Sequence, residues 1–154
     1  MEEKILKKYN ELKGRYSLPD IGKISSFFEI YKIDEDDFLL MEIRKKIVEK
    51  LIRVSEVLES FIHPDTNISD IYECKAFSNE DRDEIFRLYK KLKLAEKKAM
   101  ELSFDSDEEK ESDFIKETLL LWDEIKEKMI FFIDKLKEFW KSESPEKTKE
   151  GYFG

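Results

Sequence analysis

Apolar residues recur at alternating steps of three and four along three long stretches of this chain, and that spacing commits most of it to amphipathic α-helix. The clearest stretch is Ile85, Leu88, Leu92, Ala95, Ala99 and Leu102, a heptad seam whose two alanines admit a neighbouring helix closely. An earlier stretch places Leu40, Ile47, Val54 and Phe61 at heptad spacing, with Ile43, Leu51 and Leu58 widening the face. The last stretch carries two stripes. One holds Phe114, Leu121, Ile125, Phe132, Leu136 and Phe139, and the other Ile115, Leu119, Trp122, Met129, Ile133 and Trp140. Glycine occurs four times and proline three times in 154 residues, too few turn formers for a many-stranded sheet. The expected fold is therefore all-α, an antiparallel helical bundle of about four to five helices with two or three long ones.

Local signals set the boundaries. Ile5, Tyr9, Leu12 and Tyr16 mark one face of a short helix ending near Gly14 or Pro19. Residues Ser17 to Ile33, interrupted by Pro19, Gly22 and Ser25-Ser26, read as a connector with one short helix. The acidic run Asp34 to Asp37 opens a long helix from Asp36, where negative charge meets the positive end of the helix dipole, and His63-Pro64 closes it. A short helix is expected around Ile68 to Cys74. Ser78 with Asp81, and Ser106 with Glu109, have the spacing of capping boxes for the next two helices, the last of which runs to about Lys141. These boundaries imply a single helical domain over residues 1–141, followed by a flexible charged tail, 142–154, ending in Tyr152-Phe153.

Charge and composition narrow the chemistry. The formal net charge is −8, so whole-molecule attraction to a phosphate backbone is not expected. A lone cysteine, Cys74, forms no internal disulfide, and the first residues, MEEKILKKYNELKGRY, lack the apolar core of a signal peptide. No stretch has the ~20 apolar residues that span a bilayer. The expectation is an acidic, cytoplasmic protein with no membrane association.

No catalytic, cofactor-binding or metal site is expected. The lone histidine, His63, and Cys74 fall short of the ligands zinc requires, and one histidine excludes a paired Glu-x-x-His di-iron site. The runs from Asp65 and Asp105 lack the turn glycine and distal glutamate of a calcium loop. There is no Gly-x-Ser-x-Gly elbow and no glycine-rich phosphate loop. The acidic start Asp107-Glu108-Glu109-Lys110-Glu111 invites comparison with helical nucleotide pyrophosphatases. Ser112 stands where their Glu-Glu-x-x-Glu pattern needs a carboxylate, and only Asp107 and Glu111 align with the apolar stripe.

Two surfaces remain as binding candidates. Aromatic and aliphatic residues of the last helix exceed what two or three neighbours can cover, which makes Trp122, Met129, Phe131, Phe132, Phe139 and Trp140 a candidate partner interface, joined by Tyr152 and Phe153 of the tail. Arg87, Lys90, Lys91, Lys97 and Lys98 lie opposite the Ile85–Leu102 seam as a basic ridge suited to phosphate contacts. A second basic cluster is Arg44, Lys45, Lys46, Lys50 and Arg53.

A long helix with Arg44 and Lys46, a loop, and then Ser78-Asn79-Glu80 opening a helix with Ile85, Phe86 and Tyr89 resembles the helical domain of the GINS replication subunits over about residues 36 to 100. The resemblance implies a subunit of a replication complex. It stops where that family has a small β-domain and this chain has its long aromatic helix. The residues themselves point first to a non-enzymatic interaction protein, an adaptor or regulatory subunit that forms a homo-oligomer or docks on a larger macromolecular complex. An RNA- or ribosome-associated regulatory factor using the basic ridges is the alternative, and a metal-dependent nucleotide hydrolase comes last.

Overall fold

Long runs free of glycine and proline become long helices, and each ends where the chain supplies a cap or a break. The computed structural model describes residues 1–142. Its helices are α1 (Glu3–Tyr16), α2 (Ile21–Ser25), α3 (Leu39–Ile62), α4 (Ile68–Glu73), α5 (Asn79–Leu102) and α6 (Glu108–Lys141), with 3-10 turns at Ile30–Lys32 and Cys74–Ala76. The fold is an all-α helical bundle, without strands among the described residues. The expected tail with Tyr152 and Phe153 lies outside the described residues.

Two boundaries differ from the sequence expectation for local reasons. Phe38 takes the left-handed conformation (φ 53°), so α3 begins after it at Leu39, and the acidic run sits in the turn before the helix. At α6 the cap is Asp107, whose carboxylate accepts from the Lys110 N–H at 2.8 Å, because the Ser106 hydroxyl is donated to Glu111 at 2.7 Å. The Ser78–Asp81 box forms as expected, with each residue's N–H bonded to the other's side chain at 3.0 and 3.1 Å.

The chain divides into two compact units, and α3, α5 and α6 contribute to both. Unit one comprises Met1–Arg53 and Lys93–Trp122. Its core draws Ile5, Tyr9 and Leu12 from α1, Ile43, Ile47 and Leu51 from α3, and Ile115 and Leu119 from α6. The connector after α1 is structural, since Ile24, Phe28 and Ile30 are each buried. Tyr9 anchors it by donating its hydroxyl to the Pro19 carbonyl at 2.5 Å. Burial, reinforced by the nearby Asp20 charge, pushes the Tyr9 phenol well above its ordinary range and keeps it neutral.

Unit one also holds a buried ion pair. Arg44 is 4% and Glu111 3% exposed, and Arg44 Nε donates to Glu111 at 2.7 Å. A further Arg44 nitrogen points to the Ala99 carbonyl at 3.4 Å, so residues of α3, α5 and α6 meet at one side chain. Arg44 was expected in an exposed basic cluster; its position between Leu40 and Ile47 on the apolar face of α3 carries it inward.

Unit two, which takes Val54–Leu92 and the chain from Asp123 onward, packs Leu58, Ile85, Leu88, Leu92, Ile125 and Phe132. Phe61, Phe77 and Phe132 form its aromatic centre, with ring centroids 5.1 to 6.5 Å apart. Salt bridges Lys91–Glu124, Glu84–Lys128 and Asp81–Lys135 join falling numbers on α5 to rising numbers on α6, which makes this pair antiparallel.

Removing one member of a buried ion pair strands the other charge. Arg44→Ala is expected to lower the unfolding free energy by about 3–5 kcal/mol, while the paired change Arg44→Met with Glu111→Leu recovers most of it. Urea denaturation of the three proteins measures both effects.

Candidate interaction surface

The second half of α6 is a helix with apolar residues on more sides than its own unit covers. Ile125, Phe132 and Leu136 face the core of unit two. On another side, Ile130 is 54%, Ile133 44% and Trp140 51% exposed, three large apolar residues at helical spacing. Charges flank them: Glu127 lies before Ile130, and Lys137, between Ile133 and Trp140, pairs with Asp134 at 3.1 Å. Tyr72 of α4 packs its ring 4.7 Å from both Phe139 and Trp140, so the end of α6 is held while one side of Trp140 stays open to solvent.

The expected interface residues therefore separate into groups. Trp122 and Phe132 are core residues and do not form a surface. Trp122 is covered by Phe27 and Phe28, at 6.0 and 5.1 Å, and Phe132 by Phe61 and Phe77. Met129 and Phe139 are half-buried, and Phe131 is exposed beneath the Lys135 ammonium, 4.8 Å from its ring centre. Tyr152 and Phe153 lie outside the described residues. Ile130, absent from both sequence stripes, joins the exposed row because it precedes Ile133 by about one helical turn.

The basic ridge of α5 is exposed at Arg87, Lys90, Lys91, Lys97 and Lys98, and much of its charge is matched. Arg87 pairs with Glu84, Lys91 with Glu124 at 2.7 Å and Lys98 with Glu117 at 3.5 Å. Lys90 lies 5.2 Å from the centre of the Phe86 ring. In the second cluster Arg44 is buried, and Lys45 and Lys46 bridge Glu42 and Glu49.

The carboxylates considered for metal chemistry have other partners. Glu108 accepts from Arg15 and Tyr16 at 3.2 and 3.0 Å, and Glu111 is committed to Arg44 and Ser106. Both border a recess of about 600 Å³ floored by Leu39 and Leu40. Among the described residues, no three His, Cys, Asp or Glu side chains are grouped to hold a metal ion. His63 is exposed and the Cys74 thiol donates to the Ile71 carbonyl at 3.0 Å. No described helix is long and apolar enough to cross a membrane. No family model, curated protein or solved structure matches the chain.

Two fastenings, one in each unit, have no sequence motif: Arg44–Glu111 and Asp81–Lys135 join residues far apart in the chain. Glu111 left one signal, by lying in register with the apolar stripe from Phe114. Burial by itself would raise the Asp81 carboxyl. Hydrogen bonds from Lys135 at 2.6 Å and from Ser78, with the Lys135 charge, outweigh burial and hold it below the usual carboxylate range.

A folded-state pKa below the unfolded value contributes stability that is fully present above the unfolded pKa of about 3.9 and is lost as pH falls through the lower folded one. Asp81→Asn is thus expected to cost about 1–3 kcal/mol at neutral pH. The difference from the parent protein should shrink as pH falls below the unfolded-state value of about 3.9 and through the lower folded one, where the parent carboxyl takes up its proton. Thermal melts across that range provide the check.

Proposed function

We propose that this protein is a non-enzymatic interaction subunit that works by helix-to-helix association, with the outer side of α6 as its docking surface and a second copy of the chain as its first partner. The observation that carries the reading is the row Ile130, Ile133 and Trp140, each close to half exposed on a helix whose opposite side is already packed. Isolated surface leucines need no explanation, but large apolar residues aligned at helical spacing favour a covering surface.

A two-fold antiparallel pairing that brings Ile130 of each chain against Ile133 of the other lets one sequence provide both halves of the contact. In that register Lys137 of one copy lies opposite Lys126 of the other, twice by symmetry. The pairing leaves other surfaces open for a larger assembly, consistent with an adaptor or regulatory role in the cytoplasm.

Sedimentation of the purified chain over a wide concentration range is expected to show a monomer–dimer equilibrium. Ile130→Glu with Ile133→Glu should give a folded monomer. Lys137→Glu, which sets a carboxylate opposite Lys126 of the other copy, should tighten the dimer, and Lys126→Glu added to it should reverse the gain. A chain that stays monomeric throughout, or a dimer that Lys137→Glu does not tighten, overturns the reading.

The RNA-associated reading is carried by Lys90 and Lys97 of α5, which have no carboxylate partner among the described residues. It requires salt-sensitive RNA binding that is lost when both become Glu. Binding unchanged by those substitutions removes it.

A further inference from the structure

A groove of about 600 Å³ opens on the Phe131 side of α6 in unit two, apart from the row that includes Ile130 and Ile133. Phe131 and Phe139 supply its aromatic wall, Asp134, Lys135 and Glu138 its polar margin, and Ser142 its far edge. Its volume falls in the range of sites that bury small ligands. Phe131 is 50% exposed there, with the Lys135 ammonium fixed over its ring at 4.8 Å by the bond to Asp81 at 2.6 Å.

We propose that this groove is the seat of the chain's own aromatic pair, Tyr152-Phe153. The chain leaves α6 at the groove itself, because Ser142 both lines it and follows the last helical residue. From Glu143 to Gly151 the only side chain without a polar group beyond glycine is Pro145, so Tyr152 and Phe153 are the first large apolar residues beyond the rim.

The distances match. Phe131 precedes Ser142 by eleven residues of helix, about 16 Å at the α-helical rise. Ten linking residues from Ser142 to Tyr152 reach at most about 35 Å, and as a coil they average about 17 Å. A linker whose average span equals the separation gives the highest effective concentration, so an intramolecular contact competes well with any free peptide. The chemistry matches as well. A phenol can donate to Asp134 or Glu138, and an aromatic face can share the Lys135 cation with Phe131.

Cys74, the chain's single cysteine, lies two residues from groove-lining Ala76 and gives the test a natural label site. A nitroxide on Cys74 of the full chain is expected to broaden the amide signals of Tyr152 and Phe153 more than those of Lys147 and Thr148. An unattached segment gives the reverse order, with broadening fading away from the helix. Phe131→Ala, a change at an exposed position, should abolish the excess broadening, whereas Lys137→Glu should leave it intact and so separate this contact from the dimer. Broadening that fades steadily along the segment, or that is unchanged by Phe131→Ala, overturns the proposal. So does broadening confined to mixtures of labelled and isotope-enriched chains, which would seat the pair on a second copy.

Discussion

Arg44 and Glu111, sixty-seven residues apart in the chain, are the charged groups around which unit one is arranged. A guanidinium and a carboxylate, both removed from water, cost several kcal/mol each to desolvate, and only close and complete pairing offsets that. The completeness is visible. Glu111 also receives the Ser106 hydroxyl, and Arg44 also reaches the Ala99 carbonyl, so the rotation of α3, α5 and α6 in this unit is set together.

In unit two the aromatic residues of α6 divide by their angle about the helix axis. Phe132 enters the ring cluster with Phe61 and Phe77, and its neighbour Phe131, about 100° round the helix, is left outside. Ile130 and Ile133 fall on the remaining side. The helix is thus asked to pack on one flank and to remain open on two others. Salt bridges to α5, with Asp81–Lys135 at the groove beside Phe131, hold it in place without using the Ile130 and Ile133 flank.

Much of this was legible in the sequence because helix signals are local. The heptad seam of α5, the Ser78–Asp81 box and the His63-Pro64 stop each involve residues within one or two turns, and the structure repeats them. What escaped were relations between distant segments. Nothing local states that Phe27 and Phe28 turn inward to cover Trp122, so an aromatic excess read from one helix overestimated the surface left open. Arg44 was grouped with its lysine neighbours by charge, although its register with Leu40 and Ile47 pointed inward. Phe38 hid the start of α3, because left-handed geometry at a bulky residue has no sequence signature.

The ties of α1 to α6 have a consequence in time. Tyr16 bonds Glu108 at a separation of 92 residues, and its carbonyl receives Lys116 at a separation of 100. At the usual speed of synthesis, about 5–20 residues per second, α1 is made some 5–20 s before its partners exist. During that interval Ile5, Tyr9 and Leu12 have no final place to bury themselves. The lysines and glutamates around them set charge beside each of those apolar residues, a pattern that disfavours association of an apolar segment while it is exposed.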